Sequence, residues 1–182
     1  GQRCPSFHLL TNFSYLHAIP SFCLQFRKSN GIFNLSLFSN LMRIRPAALI
    51  IEKNHVLFLR YDYPAGSKFA LPGGNVDAGE TFPVCIAREC EEELGIEVEV
   101  GDLIAVGQVH ATTDFAACTH LVFEGDIVGG IPQLRPDETT ANDLVWVSAD
   151  KIADLNIYPA LNDAILDFIH SGKKGQFVGT LK

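Results

Sequence analysis

A dense group of carboxylates on one short predicted helix constrains this chain more than any other feature. The helix follows a glycine-rich turn and carries Glu89, Glu92 and Glu93 at positions i, i+3 and i+4. That spacing places the three side chains on one helical face, where their like charges repel each other. An ordinary helix gains nothing from such a face, whereas hard cations such as Mg²⁺ and Mn²⁺ prefer carboxylate, carbonyl and water oxygens. The spacing therefore predicts a cation site on this helix.

These acids belong to a longer pattern of spaced residues. Its occupied positions are Gly74, Glu80, Arg88, Glu89, Glu92, Glu93, Gly95 and Ile96. In this order and spacing they form the Nudix box, and the chain resembles a Nudix (MutT-like) hydrolase over roughly residues 42–170. The preceding Leu71-Pro72-Gly73-Gly74 also resembles the usual approach to the box. Cys90 stands where the family usually has Leu, Ile or Val, and a buried thiol packs as a small hydrophobe.

The resemblance implies both a fold and a reaction. The fold class is α/β, a Nudix-type α/β/α sandwich with a mixed β-sheet. The reaction is Mg²⁺-dependent (or Mn²⁺-dependent) hydrolysis of a phosphoanhydride bond in a nucleoside diphosphate linked to another moiety, as in a nucleoside triphosphate, a nucleotide sugar or a dinucleotide. The cation neutralises the clustered phosphate charge, orients the phosphates and acidifies a bound water.

The resemblance also carries over metal ligands by position. Glu89, Glu92 and Glu93 would hold the cation directly. Glu80 would be an outer or additional ligand, and the Gly73 carbonyl could donate a backbone oxygen. The glycines of the turn would let the chain bend tightly beside the metal.

Catalysis and substrate binding would involve an overlapping set of residues. The resemblance implies catalytic roles for Glu89, Arg88 and Glu92, and substrate-binding roles for Gly73, Gly74 and Glu138. Arg88 would hold Glu89 by charge-assisted hydrogen bonds, and Glu89 is a candidate base for the attacking water, a role on which family members differ. Some members recruit a distal acid from a loop. Among Asp137, Glu138 and Asp143 we favour Glu138.

Structural explanations compete with each of these roles. A charged helical face is often simply solvated, which is the expected state of Glu91, and Arg88 could be only the i,i+4 partner of Glu92. The loop acids could likewise be solvated. For the whole chain, the alternative is a non-catalytic nucleotide-sensing or interaction module on a Nudix scaffold. Such members usually lose box carboxylates, whereas this chain keeps them, so we favour a Nudix pyrophosphohydrolase.

A few residues outside the box could contribute to a binding pocket. His110 and His120 fall on predicted strands, where lone histidines are more often structural groups than ligands. Asp114, Phe115 and Trp146 could line a base pocket, although core packing is the safer expectation for Trp146.

The sequence leaves the substrate open. The ADP-ribose subgroup of the family often has a proline about fifteen residues after the box, and the stretch 110–113 has none. A diadenosine-polyphosphate subgroup often has a tyrosine slightly further on, and the stretch 112–115 has none. Nucleoside triphosphates, nucleotide sugars and other dinucleotides remain candidates.

Apolar alternation and turn residues predict the strands. We expect strands at 47–51, 56–59, 69–71, 97–100, 103–111, 119–126 and 144–147. Lys53-Asn54 should form a tight turn between the first two strands. The stretch 66–68 is expected to be a loop, and the tail 173–182 is expected to be mobile.

Capping residues predict the helices. The box helix should follow Thr81 and end near Leu94, with Gly95 as its stop. Its apolar side would consist of Val84, Ala87 and Leu94, with Cys90 or Cys85 nearby. Ser148 should begin a short helix that reaches about Leu155, and a last amphipathic helix fits 160–170.

Composition narrows the range of partners. The residues are 47% apolar and 19% charged, which suits a folded domain, and the formal net charge is −7. Without a basic stripe the chain is not expected to bind a nucleic-acid polymer, and its apolar runs are too short for a membrane span. A small nucleotide partner is expected, and a homodimer is common in the family. The five cysteines, Cys4, Cys23, Cys85, Cys90 and Cys118, include no CxxC pair, which favours reduced thiols and a cytoplasmic protein.

The first 41 residues differ from the rest because they contain no acidic residue. We treat 1–41 as an N-terminal extension outside the fold and 42–182 as the Nudix domain, with Met42 as a natural start. Two other interpretations are a transit-type targeting peptide and a structural arm that packs its phenylalanines on the domain or on a partner.

Overall fold

The computed structural model describes residues 27–29, 32–34, 42–112 and 116–181. The chain divides between Leu41 and Met42 into two compact units. In the first unit, strands β1 (Arg27–Ser29) and β2 (Ile32–Asn34) pair in antiparallel fashion. The candidate site lies in the second unit.

A mixed sheet of seven strands forms the centre of the second unit. Its strands are β3 (Arg43–Glu52), β4 (His55–Tyr63), β5 (Gly66–Ala70), β6 (Glu97–Val109), β7 (Cys118–Gly129), β8 (Asp143–Ser148) and β9 (Gln176–Thr180). The order is β5-β4-β3-β7-β6-β9, and β8 pairs with β4. The pairs β3–β7 and β6–β9 are parallel and the others antiparallel. The turn between β3 and β4 is the tight one expected, since Lys53 and Asn54 both have positive φ.

Helices cover both faces of this sheet. Helix α1 (Phe82–Leu94) packs on the face that carries Ala48 and Ile50. A 3-10 helix (Ala149–Asp154) and helix α2 (Asn162–Ser171) pack on the face that carries Ala47 and Leu49. Because side chains alternate along a strand, neighbouring residues of β3 enter two different hydrophobic cores. The expected α/β/α sandwich with a mixed sheet is confirmed.

Helix α1 has the predicted ends but a different buried face. It follows Thr81 and ends at Gly95, whose φ of 66° is left-handed. Ile86, Cys90 and Leu94 form a buried stripe at i, i+4 and i+8, with Cys85 beside it. Val84 lies about 200° around the helix from Ile86 and is 56% exposed, so placing it on the apolar side was wrong.

Two segments expected to be irregular are strands. Strand β5 begins at Gly66, directly after a tight turn from β4, so a loop at 66–68 was wrong. The tail is not a mobile segment, because β9 pairs in parallel with β6 and both Gln176 and Leu181 are buried. The tail gains its order from a strand that lies far away in the sequence, which local composition does not reveal.

Strand β6 is longer than predicted. The expected break between residues 100 and 103 is a set of register shifts inside one continuous strand that pairs with β7. In the described part of the chain, no helix is both long enough and apolar enough to cross a lipid bilayer.

Candidate active site

Arg88 binds three carboxylates of the box at once. Its Nε donates to Glu80 Oε1 at 2.9 Å and its Nη2 to Glu80 Oε2 at 3.1 Å, a two-pronged pairing. Its Nη1 donates to Glu89 Oε1 at 2.9 Å and to Glu92 Oε2 at 3.0 Å. We refer to Arg88, Glu80, Glu89 and Glu92 as the Arg88 cluster. One guanidinium therefore offsets the mutual repulsion of three acids without neutralising the group.

These contacts fix the charge states of the two most tightly paired members. The hydrogen bonds from Arg88 and from the backbone N–H of Asp77 lower the pKa of Glu80 to about 2. The same pairing raises the pKa of Arg88, which stays charged. Both Glu80 oxygens are engaged, so Glu80 anchors Arg88. The contact expected between Arg88 and Glu89 is present, as is the i,i+4 pair with Glu92.

Glu93 occupies a different environment one residue further along the helix. It is only 6% exposed, and this burial raises the pKa of its carboxyl to about 7. Its Oε1 accepts a hydrogen bond from Thr139 Oγ1 at 3.0 Å, and its Oε2 accepts one from the backbone N–H of Gly73 at 3.4 Å. Arg45 donates through Nη2 to the Gly73 carbonyl at 2.6 Å. We refer to Glu93, Gly73, Thr139 and Arg45 as the Glu93 pocket.

The adjacent glycines of the turn are needed for two different reasons. At Gly73 the φ is 148°, and a Cβ would lie 2.6 Å from the Ala47 Cα and overlap the Pro46 carbonyl. At Gly74 the three atoms nearest to a Cβ would all belong to the carboxylate end of the Glu89 side chain. The carboxylate of Glu89 therefore rests against a backbone that has no side chain of its own.

A cleft of about 1180 Å³ runs along the sheet and is bordered by Glu89 of the Arg88 cluster and by Glu93, whereas Glu80, Arg88 and Glu92 do not line it. Acids line one part of it, namely Glu89, Glu93 and Glu138. Its other charged and aromatic residues are Arg43, Arg45, Lys68, Tyr61, Tyr63, Tyr158, His110 and His120. A cleft that combines acids, cations and aromatic rings can bind a molecule with both phosphates and a ring system.

One part of the cleft wall is built around the Tyr158 ring. Lys68 Nζ lies 4.8 Å from the Tyr158 ring centroid, and the His120 ring meets the Tyr158 ring edge-on at 6.4 Å between centroids. Burial, aided by the positive charge of Arg45, lowers the pKa of His120 to about 4. His120 is therefore a neutral imidazole at pH 7, and it lines the cleft as well as packing against Tyr158.

The loop acids named from the sequence separate in space. Glu138 lies in the cleft wall with Glu89 and Glu93. Asp143 is on β8, where Arg60 Nη1 pairs with it at 3.4 Å, and it does not line the cleft. Glu91 is exposed and pairs with Arg135 at 3.1 Å, as a solvated helical acid would.

Trp146 is half-buried and packs against the core on the α1 face, which confirms the core packing expected for it. Asp114 and Phe115, the other suggested pocket residues, lie outside the described residues. Among the described cysteines, Cys85, Cys90 and Cys118 are free thiols.

The neutral and basic residues of the site were not predictable from the sequence. Arg45 and Thr139 belong to the Glu93 pocket, and Tyr61 lies close enough to Glu93 that its pKa rises through burial and that charge. Arg45 directly precedes the buried run of β3 that begins at Pro46, and Thr139 follows Glu138. Neither position carries a local signal, because the fold alone brings them to Glu93.

The side chains present suit a hard cation by chemistry. Glu89, Glu92 and Glu93 supply only carboxylate oxygens, and the missing Cβ at Gly74 leaves space for the Glu89 carboxylate beside the backbone. Within residues 42–112 and 116–181, however, no three acidic, His or Cys side chains converge closely enough to enclose a metal as they stand. Arg88 draws two of the three towards itself.

Comparison with known proteins decides the family. The family model described as NUDIX domain matches residues 42–168. The chain belongs to the Nudix family. The match spans both α1 and the cleft-forming strands, so the resemblance seen in the box extends over most of the second unit.

Relatives of this Nudix protein include named enzymes. "Putative 8-oxo-dGTP diphosphatase 2" of Mycobacterium tuberculosis is 36% identical over 107 residues, which cover 55% of this chain and 67% of that protein. The ADP-ribose pyrophosphatase of Methanocaldococcus jannaschii is 36% identical over 83 residues, which cover 44% of this chain and 49% of that protein. The chain thus spans about half to two thirds of these relatives. Because of this family match and these named relatives, we identify the chain as a Nudix pyrophosphohydrolase.

Solved structures agree with this assignment. The MutT protein from Methanosarcina mazei Go1 has a TM-score of 0.57 and 31% identity, covering 73% of this chain and 96% of that one. The Nudix enzyme class implied by the box is confirmed.

Proposed function

We propose that this Nudix protein hydrolyses a phosphoanhydride bond in a nucleoside diphosphate linked to another moiety, with Mg²⁺ or Mn²⁺ as cofactor. The observation that carries the proposal is that box acids and cationic side chains line one cleft. Glu89 and Glu93 offer oxygens for a cation, and Arg43 and Lys68 offer positive charge for phosphates. A protein of net charge −7 needs such local positive charge to hold a polyphosphate.

Each residue of the site has a definite task in this proposal. Glu89, Glu92 and Glu93 hold the cation, which when bound supplies positive charge to the phosphates and lowers the pKa of water. Arg88 orients Glu89 and Glu92, and Glu80 in turn anchors Arg88.

Three other residues border the substrate in the proposal. Gly73 and Gly74 keep the backbone beside Glu93 and Glu89 free of side chains, and Glu138 contributes a further acid to the cleft wall. Catalysis would consist mainly of positioning and of stabilising charge.

The substrate class follows from the relatives and from the cleft lining. The relatives are named for 8-oxo-dGTP and ADP-ribose, both of which join a nucleotide ring system to a pyrophosphate. Tyr61, Tyr63 and Tyr158 in the cleft wall can contact such a ring. We therefore propose a nucleoside triphosphate, a nucleotide sugar or a dinucleotide as substrate.

A nucleotide panel with product identification tests this function. The panel contains 8-oxo-dGTP, dGTP, ADP-ribose, NAD⁺, diadenosine tetraphosphate and UDP-glucose, each with and without Mg²⁺. We expect one class to yield a nucleoside monophosphate only when Mg²⁺ is present. Glu92→Gln should lower turnover by about 100-fold or more with the fold intact, because it removes a ligand charge. Glu91→Gln is the matched control, since Glu91 lies on the same helix and pairs with Arg135 instead.

The panel also separates catalysis from sensing. Turnover lost in Glu92→Gln and kept in Glu91→Gln supports the enzyme. Tight binding of one nucleotide with no turnover of any would favour a sensing module on a Nudix scaffold.

We also propose that residues 42–182 suffice for this activity in a reducing, cytoplasmic compartment. Burial raises the pKa of the Cys85 and Cys90 thiols to about 12, so both stay protonated and poorly reactive. A protein that starts at Met42 should be soluble and turn over the same substrate as the full chain. Insoluble protein from that truncation would show that the first 41 residues are structural.

A further inference from the structure

The loop that follows β7 holds the second half of α1 through its backbone and side chains. The Arg135 N–H donates to the Glu93 carbonyl at 2.9 Å, and Arg135 Nη2 donates to Glu91 Oε1 at 3.1 Å. Thr139 then donates from its hydroxyl to the Glu93 carboxylate at 3.0 Å. Of these contacts, only the last reaches a side chain that lines the cleft.

The direction of the Thr139 hydroxyl is fixed by its surroundings. The Ala141 N–H donates to Thr139 Oγ1 at 3.3 Å, which occupies one acceptor position of the oxygen. A hydroxyl carries one proton, which is donated to Glu93 Oε1 at 3.0 Å, while the Tyr61 side chain also hydrogen-bonds Thr139. The backbone of the loop therefore aims the hydroxyl, and the hydroxyl aims the carboxylate.

Glu93 has few other restraints. Among the residues that the structure describes, the Gly73 N–H is the one donor to its second oxygen, at a long 3.4 Å. In contrast, a single guanidinium holds Glu89 and Glu92 together. With two donors for a carboxylate of about four lone-pair positions, Glu93 keeps acceptor capacity directed at the cleft.

We propose that Thr139 is a positioning residue that fixes the rotation of the Glu93 carboxylate so that its free lone pairs can bind a divalent cation. This inference rests on the proposed function, because it takes Glu93 as a cation ligand. Partners that orient a metal ligand in this way typically change metal affinity by about 10- to 100-fold when they are removed. Thr139 therefore acts on the cation through Glu93, whose carboxylate accepts its hydroxyl proton.

The test measures Mn²⁺ binding without substrate, by electron paramagnetic resonance of the free ion, on the full chain. Thr139→Val keeps the side-chain shape and removes the hydroxyl, and we expect it to weaken Mn²⁺ binding by about 10-fold or more. Thr139→Ser restores the hydroxyl and should bind Mn²⁺ nearly as the wild type does. Arg135→Gln is the matched control from the same loop, since it breaks the Glu91 contact and leaves Thr139 in place.

A kinetic readout separates positioning from general damage. Thr139→Val should raise the Mg²⁺ concentration needed for half-maximal turnover of the cleaved panel nucleotide, while kcat recovers at saturating Mg²⁺. In a Glu93→Gln background the same substitution should have no further effect on Mn²⁺ affinity. Thermal unfolding without metal reports any loss of the fold.

The possible results point to different conclusions. If the wild type binds Mn²⁺ and Thr139→Val binds it equally well, or if Thr139→Ser is as defective as Thr139→Val, the inference about Thr139 is overturned alone. If the wild type neither binds Mn²⁺ nor cleaves any nucleotide, the proposed function fails and the inference fails with it.

Discussion

The Arg88 cluster and the Glu93 pocket hold acids of the same helix in contrasting ways. In the cluster, three partly exposed carboxylates share one guanidinium through charged hydrogen bonds. In the pocket, a single buried carboxylate is held by a hydroxyl and a backbone N–H. The pKa shifts follow this contrast, since pairing lowers the pKa of Glu80 and burial raises that of Glu93.

This contrast shows that neighbouring acids in one motif need not be equivalent. Glu92 and Glu93 are adjacent in sequence, yet helical geometry turns one towards Arg88 and the other into the cleft wall. In the cluster, charge is compensated before any cation arrives. In the pocket, it is the fold that forces an ionisable group into a poorly solvated place.

Alanine substitutions at Gly73 and Gly74 should affect the Glu93 pocket and the Arg88 cluster in different ways. Gly73→Ala places a Cβ against the β3 backbone at an unfavourable φ, and we expect it to cost about 3 kcal/mol of unfolding free energy. The atoms nearest to the new methyl of Gly74→Ala belong to the flexible end of Glu89, so stability should change by less than about 1 kcal/mol while turnover falls strongly. Urea unfolding and kcat on both variants check this, and equal losses of stability would contradict it.

Replacement of Arg88 tests whether the cluster needs a planar guanidinium. Arg88→Lys retains the charge but cannot reach three carboxylates with a fixed fork, so turnover should fall about 10- to 100-fold. Steady-state kinetics on this variant provide the measurement. Arg135→Lys, which alters an exposed pair with Glu91, is the control and should keep wild-type turnover. Full activity in Arg88→Lys would mean that charge alone suffices.

The pH dependence of stability extends the comparison to a second buried group near the Glu93 pocket. His120 has a pKa lowered from 6.5 to about 4, so between these values the unfolded chain binds a proton that the folded chain does not. Above pH 6.5 neither state binds this proton, so His120 does not lower the unfolding free energy there. As the pH falls from 6.5 towards 4, protonation of the unfolded chain lowers the unfolding free energy by roughly 1 kcal/mol per pH unit.

Substitution isolates this contribution from that of the acids. His120→Gln should show a shallower loss of unfolding free energy between pH 6.5 and 4.5 than the wild type, measured in urea. His110→Gln is the control, because His110 is exposed and hydrogen-bonded to Thr180. Parallel curves for wild type and His120→Gln would rule out a neutral buried His120.

The smallest effect is expected at an acid of α1 that belongs to neither region. Glu91 and Arg135 form an exposed pair, which is worth little because water screens it. Glu91→Gln should change unfolding free energy by less than about 0.5 kcal/mol and leave turnover unchanged. Thermal unfolding and kinetics measure this, and a large loss of either would show that the Arg88 cluster extends to Glu91.

Local signals accounted for much of the fold and for one of the two regions. The turn at Lys53-Asn54 and the helix stop at Gly95 were predictable because each depends on the φ preferences of single residues. The Arg88–Glu92 contact follows from i,i+4 spacing on a helix.

Other features depended on partners that are distant in the sequence. The prediction of a mobile tail was wrong because β9 gains its order from pairing with β6. The prediction for Val84 was wrong because the sheet beneath α1 determines which helix face is buried. That face is the one that carries Ile86, and Val84 is exposed.

By itself, the sequence determined the family, the α/β/α class and the set of carboxylates on α1, since these follow from residue spacing and local conformational preference. Only the tertiary structure decided that Glu80 also pairs with Arg88 and that Glu93 is buried. Thr139 reaches Glu93 across a sequence separation of 46, and Arg45 of β3 reaches the Gly73 carbonyl beside it across a separation of 28. The physical reason is that desolvation and hydrogen-bond geometry depend on neighbours in space, whereas spacing along the chain fixes only which neighbours lie on the same helix.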